Sequence, residues 1–131
     1  MFYRLIAASV IALTLAACEE KAPQTQTLTG TVGYRERIAL PLGAEVEVKL
    51  VDVSLADAPS TTIAETRFKP ETQVPIAFAL TYDPSRIDDA HSYALQARIT
   101  DQGQLMFITT MHYPVLQGGQ NMADLMLQRA N

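Results

Sequence analysis

The sequence predicts an all-β domain, an antiparallel β-sandwich of about seven strands, with a small closed barrel as the second choice. Three observations lead there. From Leu28 onward apolar residues recur at every second position, the period of half-buried strands. Turn signals rich in Gly, Pro, Asp and Ser interrupt the pattern roughly every 8–15 residues. No segment downstream of residue 27 carries the 3.6-residue period over the length of a helix.

The chain begins with a segment of another kind. Met1 to Arg4 carry one positive charge, and Leu5 to Ala17 form an uncharged apolar run shorter than the about 20 residues a membrane span needs. Leu15-Ala16-Ala17-Cys18 then reads as a lipobox, with small residues before the single cysteine of the chain. Residues 1–17 are expected to be a signal peptide, and Cys18 the lipid-bearing first residue of the mature protein. An uncleaved anchor explains the same run less well, because polar Glu19-Glu20 follows at once. Residues 18–27 read as a lipidated tether. Its polar part, Glu19 to Thr27, has no hydrophobic period and reaches at most about 30 Å fully extended.

The domain is assigned to residues 28–131. Leu28, Gly30, Val32 and Tyr34 open it, and Pro41-Leu42-Gly43-Ala44 turns into the alternating run Glu45 to Leu50. A hairpin between these two runs would set Ile38 near Val46, and Arg35 and Arg37 near Glu45 and Glu47. After Leu50 the parity slips to Val51 and Val53, the mark of a β-bulge. Thr61 to Lys69 alternates poorly and ends in Arg67, Lys69 and Pro70, as on a guarded edge strand. Val74, Ile76, Phe78, Leu80 and Tyr82 give the clearest apolar face, with Ala77, Ala79 and Thr81 on the other. Asp83-Pro84 opens a short helical turn as N-cap and first position. Tyr93, Leu95, Ala97 and Ile99 alternate again. Leu105 to Ile108 is apolar on both faces, which suggests a central strand. Gly118-Gly119 breaks the chain before a last strand from Ala123 to Gln128.

Charge and composition narrow the function. The chain has 10 Lys and Arg; less Arg4, which leaves with the signal peptide, 9 face 14 Asp and Glu, a net charge of −5. A mildly acidic domain without a basic stripe is a poor nucleic-acid binder. With Cys18 acylated no disulfide forms, so packing alone holds the fold. Chemistry is hard to nominate. Asp83, Asp88, Asp89 and His91 suggest a metal set, but their spacing fits no calcium loop, and a capped turn with solvated carboxylates explains them as well. His112 stands at an expected strand end, where a hydrogen-bonding role is commoner than a catalytic one. There is no G-x-S-x-G elbow and no phosphate loop. We therefore expect no catalytic residue, no metal and no cofactor beyond a covalent lipid on Cys18. Two features suit partner binding. Ala77, Ala79 and Thr81 make a flat face able to accept a partner's helix or strand. Met126 falls on the polar parity of the last strand, with Met122 in the loop before it, and methionines suit recognition grooves as well as core gaps.

Several stretches together resemble the YbaY/YscW-type lipoprotein family. They are Thr29 to Pro41, Glu45 to Ser54 with Ala56-Asp57-Ala58-Pro59, Val74 to Phe78, Tyr82-Asp83-Pro84, Tyr93 to Ile99 and His112 to Val115. The likeness runs from about Leu28 to Gln128 and is nearer the YbaY branch. It implies a periplasm-facing β-sandwich lipoprotein, with YscW-like members acting as pilotins that carry a secretin subunit to the outer membrane. Glu19, rather than Asp, after Cys18 agrees with an outer-membrane address. The family pattern holds no catalytic residues. The expected function is thus a non-enzymatic binding or chaperone module for an envelope protein. The alternatives are a small-ligand or glycan-associated lipoprotein without a secretin client, and a stress-related envelope spacer.

Overall fold

The computed structural model describes residues 24–116 and 122–130; the expected signal peptide, Cys18 and Gly118-Gly119 lie outside the described residues. Among the described residues there are eight strands: β1 (Gln26–Tyr34), β2 (Ala44–Asp52), β3 (Thr61–Phe68), β4 (Ile76–Tyr82), β5 (Tyr93–Asp101), β6 (Gln104–Ile108), β7 (Pro114–Val115) and β8 (Asp124–Arg129). A 3-10 turn, Pro84–Arg86, follows β4, and Asp83 caps it by accepting from the Ser85 N–H, as the Asp-Pro pair predicts. Seven strands follow one hydrogen-bonded path, β3-β2-β5-β6-β8-β1-β4, with the short β7 joined to β5. The path curls until its two ends, β3 and β4, lie side by side with no ladder between them among the described residues. The fold is all-β, as expected, and lies between a sandwich and a barrel.

Two pairings differ from a plain antiparallel meander. β1 does not form a hairpin with β2. It pairs antiparallel with β4, Leu28 facing Leu80, and parallel with β8, Val32 facing Leu125. β2 pairs instead with β3 and β5, so Val46 meets Phe68 and Ile99. Arg35 and Arg37 stay exposed in the long connection, and Glu47 finds other cations. The alternation of each run was sound, but it fixes only which face is buried, and the choice of neighbour is decided by residues far along the chain.

Other expectations hold. The ladder slips between Leu50 and Val51, where Ile63 of β3 is the extra residue. β3 is an edge strand, and β6 lies between β5 and β8. Of the β6 run only Phe107 is buried, because Ile108 faces outward beside Arg98 and Leu105 is exposed. The β5–β6 turn is Gln102-Gly103, both with positive φ, the combination of a type I′ hairpin, in which glycine is free of strain. The Val74–Pro75 peptide is cis.

The interior is filled. Val32, Val46, Val48, Leu50, Tyr93, Leu95, Ile99, Phe107, Leu125 and Leu127 are almost wholly excluded from solvent. Tyr34 stacks on Phe107 with ring centroids 4.1 Å apart and planes 4° from parallel, and donates its hydroxyl to the Ile38 carbonyl at 2.6 Å. Burial, then the nearby Glu36 carboxylate, raises the pKa of that phenol. Tyr113 completes a ladder. β6 and β8 share only two facing pairs, and the buried Tyr113 hydroxyl donates to the Met126 carbonyl at 3.1 Å and accepts from its N–H at 3.0 Å.

Candidate functional site

The three adjacent strands β4, β1 and β8 present an outer face made mostly of small, uncharged side chains. Alternation buries Ile76, Phe78, Leu80 and Tyr82 and turns Ala77, Ala79 and Thr81 outward. Register sets each beside a threonine of β1: Ala77 by Thr31, Ala79 by Thr29, Thr81 by Thr27. Thr31 donates to Asp124 of β8 at 3.0 Å, and Thr27 and Thr81 lie 3.4 Å apart. Farther along the same face Met126 stands next to Gly33, whose missing side chain leaves open space. The structure thus brings Ala77, Ala79, Thr81 and Met126 onto one surface, with Asp124 as its charged member. Met122 is not part of it; it is exposed in the segment leading into β8. The face ends at β4, a strand paired on one side only.

The opposite wall, formed by β3, β2, β5 and β6, has contrary chemistry. Glu47 is nearly buried, its side chain 8% exposed, and gathers three cations. Arg67 Nη2 lies 2.7 Å from Oε2, Lys49 Nζ 3.1 Å from Oε1, and Arg98 reaches Oε1 through Nε and Nη2, each at 3.1 Å. Burial pushes the Glu47 pKa up, but hydrogen bonds from Lys49 and Arg98 and the charges of both outweigh it and hold the carboxyl below its ordinary value. A shallow groove of about 240 Å³ runs beside this network, lined by Lys49, Gln96, Arg98, Ile108 and Thr109 among others. It is smaller than the range of roughly 300–1,000 Å³ typical of small-molecule sites, and its lining mixes charged, polar and apolar groups.

The suspected metal set is engaged otherwise. Asp83 caps its turn, and Asp88 accepts from the Ala90 N–H at 2.9 Å. His91 Nδ1 lies 2.6 Å from Asp52 Oδ2, and its Nε2 lies 3.7 Å from Asp88. Among the described residues no three His, Cys, Asp or Glu side chains converge to hold a metal. Asp52 also accepts from the Ser54 hydroxyl at 2.5 Å and its N–H at 2.9 Å, so a carboxylate absent from the sequence-derived set organises this corner. His112 is exposed in the approach to β7. Sequence reasoning missed Glu47 as a hub because Arg98 is 51 positions away. The one local signal was a carboxylate alternating with valines beside Lys49.

Comparison with known proteins gives this geometry a family. A family model described as the type III secretion system lipoprotein chaperone YscW matches residues 23–127. The uncharacterized lipoprotein YbaY of Escherichia coli (strain K12) is 37% identical over 115 residues, covering 87% of this chain; the chain spans 60% of that relative's length. The solved structure of an alternative pilotin from the type II secretion system of Vibrio cholerae superposes with a TM-score of 0.78 at 46% identity, covering 82% of this chain and 99% of that one. The matched span runs from β1 into β8 without a gap in the strand order, and the chain belongs to the YscW family of secretion-system lipoprotein chaperones.

Proposed function

We propose that the protein is a pilotin-like lipoprotein of the outer membrane, its domain facing the periplasm and its anchor a lipid on Cys18. Without catalysis, metal or cofactor, it captures a segment of an envelope client, a secretin subunit by preference, and holds it at the membrane. The small-featured outer face of β4, β1 and β8, with Asp124 its charged member, is the observation that carries this reading. A face of Ala77, Ala79 and Thr81 lets a helix or strand approach closely. The opposite groove, about 240 Å³, is too small to favour a small-ligand protein.

In-cell photo-crosslinking tests this, with the probe at Ala79 in one strain and at exposed Gln96 on the opposite wall in another. The expected product is an adduct to an outer-membrane subunit from position 79 that disappears when Thr81→Lys is added. Adducts from position 96 alone would move the binding surface to the charged wall. Failure to trap any protein from either position would overturn the chaperone reading.

A further inference from the structure

The groove on the charged wall has a definite build. Its floor is β5 from Gln96 to Arg98, with Glu47 and Lys49 of β2 on one side and Ile108 and Thr109 on the other. Thr109 continues the ladder past the end of β6. Its N–H donates to the Ala97 carbonyl at 3.0 Å, and its hydroxyl accepts from the Ala97 N–H at 3.1 Å. That hydroxyl is therefore spent on the floor, and the polar groups turned to the opening are those of Lys49, Gln96 and Arg98.

Their chemistry is cationic. Lys49 and Arg98 line the groove against one carboxylate, Glu47, a local net charge of +1 in a chain that is negative overall. The Glu47 side chain is almost shut off from solvent and already takes Arg67 as a third cation. Glu65 offsets Arg67 only, at 3.7 Å, and does so from β3, beyond β2 as seen from the groove. Lys49 and Arg98 by contrast keep part of their side chains in solvent, 28% and 42%. An ammonium carries three donors and a guanidinium five. Lys49 spends one on Glu47, and Arg98 spends Nε and Nη2, so both retain donors among the described residues. Ile108 faces outward directly across from Arg98 and supplies apolar surface beside the charge.

We infer that this groove recognises one acidic side chain of a partner polypeptide, together with the aliphatic residue next to it. The carboxylate lies between Lys49 and Arg98, and the aliphatic neighbour rests on Ile108. Charge-assisted hydrogen bonds of this kind are about twice as strong as neutral ones. A volume of about 240 Å³ encloses too little of a free small molecule but suits a side chain whose own backbone stays outside. The groove stands on the wall opposite β4, β1 and β8, so the inference goes beyond the client contact proposed there, and its test leaves that face untouched.

Isotope-labelled full-length lipidated protein in a non-ionic detergent is titrated with acetyl-Ala-Leu-Glu-Ala-amide and with its glutamine counterpart, and backbone amide shifts are followed by NMR. The expected result is saturable shifts at Gln96, Arg98, Ile108 and Thr109, with the glutamine peptide about tenfold weaker and added salt weakening the glutamate peptide alone. Lys49→Gln should weaken the glutamate peptide several-fold and leave the glutamine peptide unchanged. Arg35→Gln, at an exposed site in the connection after β1, removes the same charge and should change neither. Equal binding of the two peptides, shifts centred elsewhere, no saturable shift, or equal losses from the two variants overturns the site. Glutarate binding as tightly as the peptide overturns the polypeptide as its ligand. The peptide comparison on the unaltered protein decides the matter even where Lys49→Gln fails to fold.

Discussion

Glu47 shows how one residue ties three strands together. Its carboxylate sits on β2, faces Arg67 of β3 and Arg98 of β5 directly across the sheet, and meets Lys49 along its own strand. Cross-strand opposite charges fix register. Here they do so twice with one anion. Glu47→Ala leaves three cations without their shared partner and should lower stability by about 1–3 kcal/mol in urea unfolding. Arg67→Ala, at a half-exposed side chain, should cost less than about 1 kcal/mol, and equal losses would mean that the network does not work through Glu47. A second residue pair gives a pH signature. The Ser54 hydroxyl, then His91, then the Ser54 N–H hold the Asp52 carboxyl down to about 2, and the hydrogen bond to Asp52 raises His91 above its ordinary 6.5. Asp52 contributes stability above its ordinary 3.8 and loses it as pH falls toward 2. His91 contributes below 6.5 and loses its share as pH rises through its raised pKa. The difference in Tm between wild type and His91→Gln should therefore be greatest near pH 5 and shrink toward pH 8; a constant difference would exclude the ion pair.

At the scale of elements, β1 shows why the two ends of a strand tolerate different changes. The chain entering β8 crosses it so closely that a Cβ on Gly30 would stand 2.0 Å from the Ala123 carbonyl oxygen, and that same carbonyl accepts from the Thr31 N–H. Three residues on, a Cβ at Gly33 would meet nothing within 4 Å. Gly30→Ala should destabilise by about 1–3 kcal/mol or prevent folding, whereas Gly33→Ala should be neutral or stabilise by up to about 1 kcal/mol. Thermal unfolding of the two variants checks this, and a harmless Gly30→Ala would mean that the crossing is looser than described. Strand interiors were the legible part of this protein. The alternation from Val74 to Tyr82 marked the faces of β4, the parity slip after Leu50 marked the bulge, and Asp83-Pro84 marked the turn. Pairing was not legible, because Gly30, Thr31 and Val32 say nothing locally about a parallel neighbour more than ninety residues away. The two-residue β7 and the Tyr113 hydroxyl that extends the β6–β8 ladder have no periodic signal at all. Of the candidate site, the outward Ala77, Ala79 and Thr81 followed from alternation, while their merging with β1 threonines and Met126 needed the register.

For the whole molecule, the two walls differ in chemistry. One is small-featured, with Asp124 its charged member, and the other is charged and cross-braced through Glu47. The seam between β3 and β4 is bridged at one end by Arg86, which donates to the Ile63 carbonyl of β3 at 2.6 Å. At the other end the β3–β4 connection is tied to the β1–β2 connection, where Gln73 exchanges hydrogen bonds with the backbone of Leu40. The placement of β1 between β4 and β8 has a further consequence, for the order of events during export. A chain threaded outward from its N-terminus delivers β1 first, yet β1 acquires its second neighbour only when the last strand has emerged. Until then the nascent domain carries an unfinished sheet with an apolar row, Leu28, Val32 and Tyr34, waiting for a mate. Such long-range closure belongs to the slow class of folding reactions. The interval between arrival of the first strand and that of the last is thus when the protein is itself most in need of a chaperone.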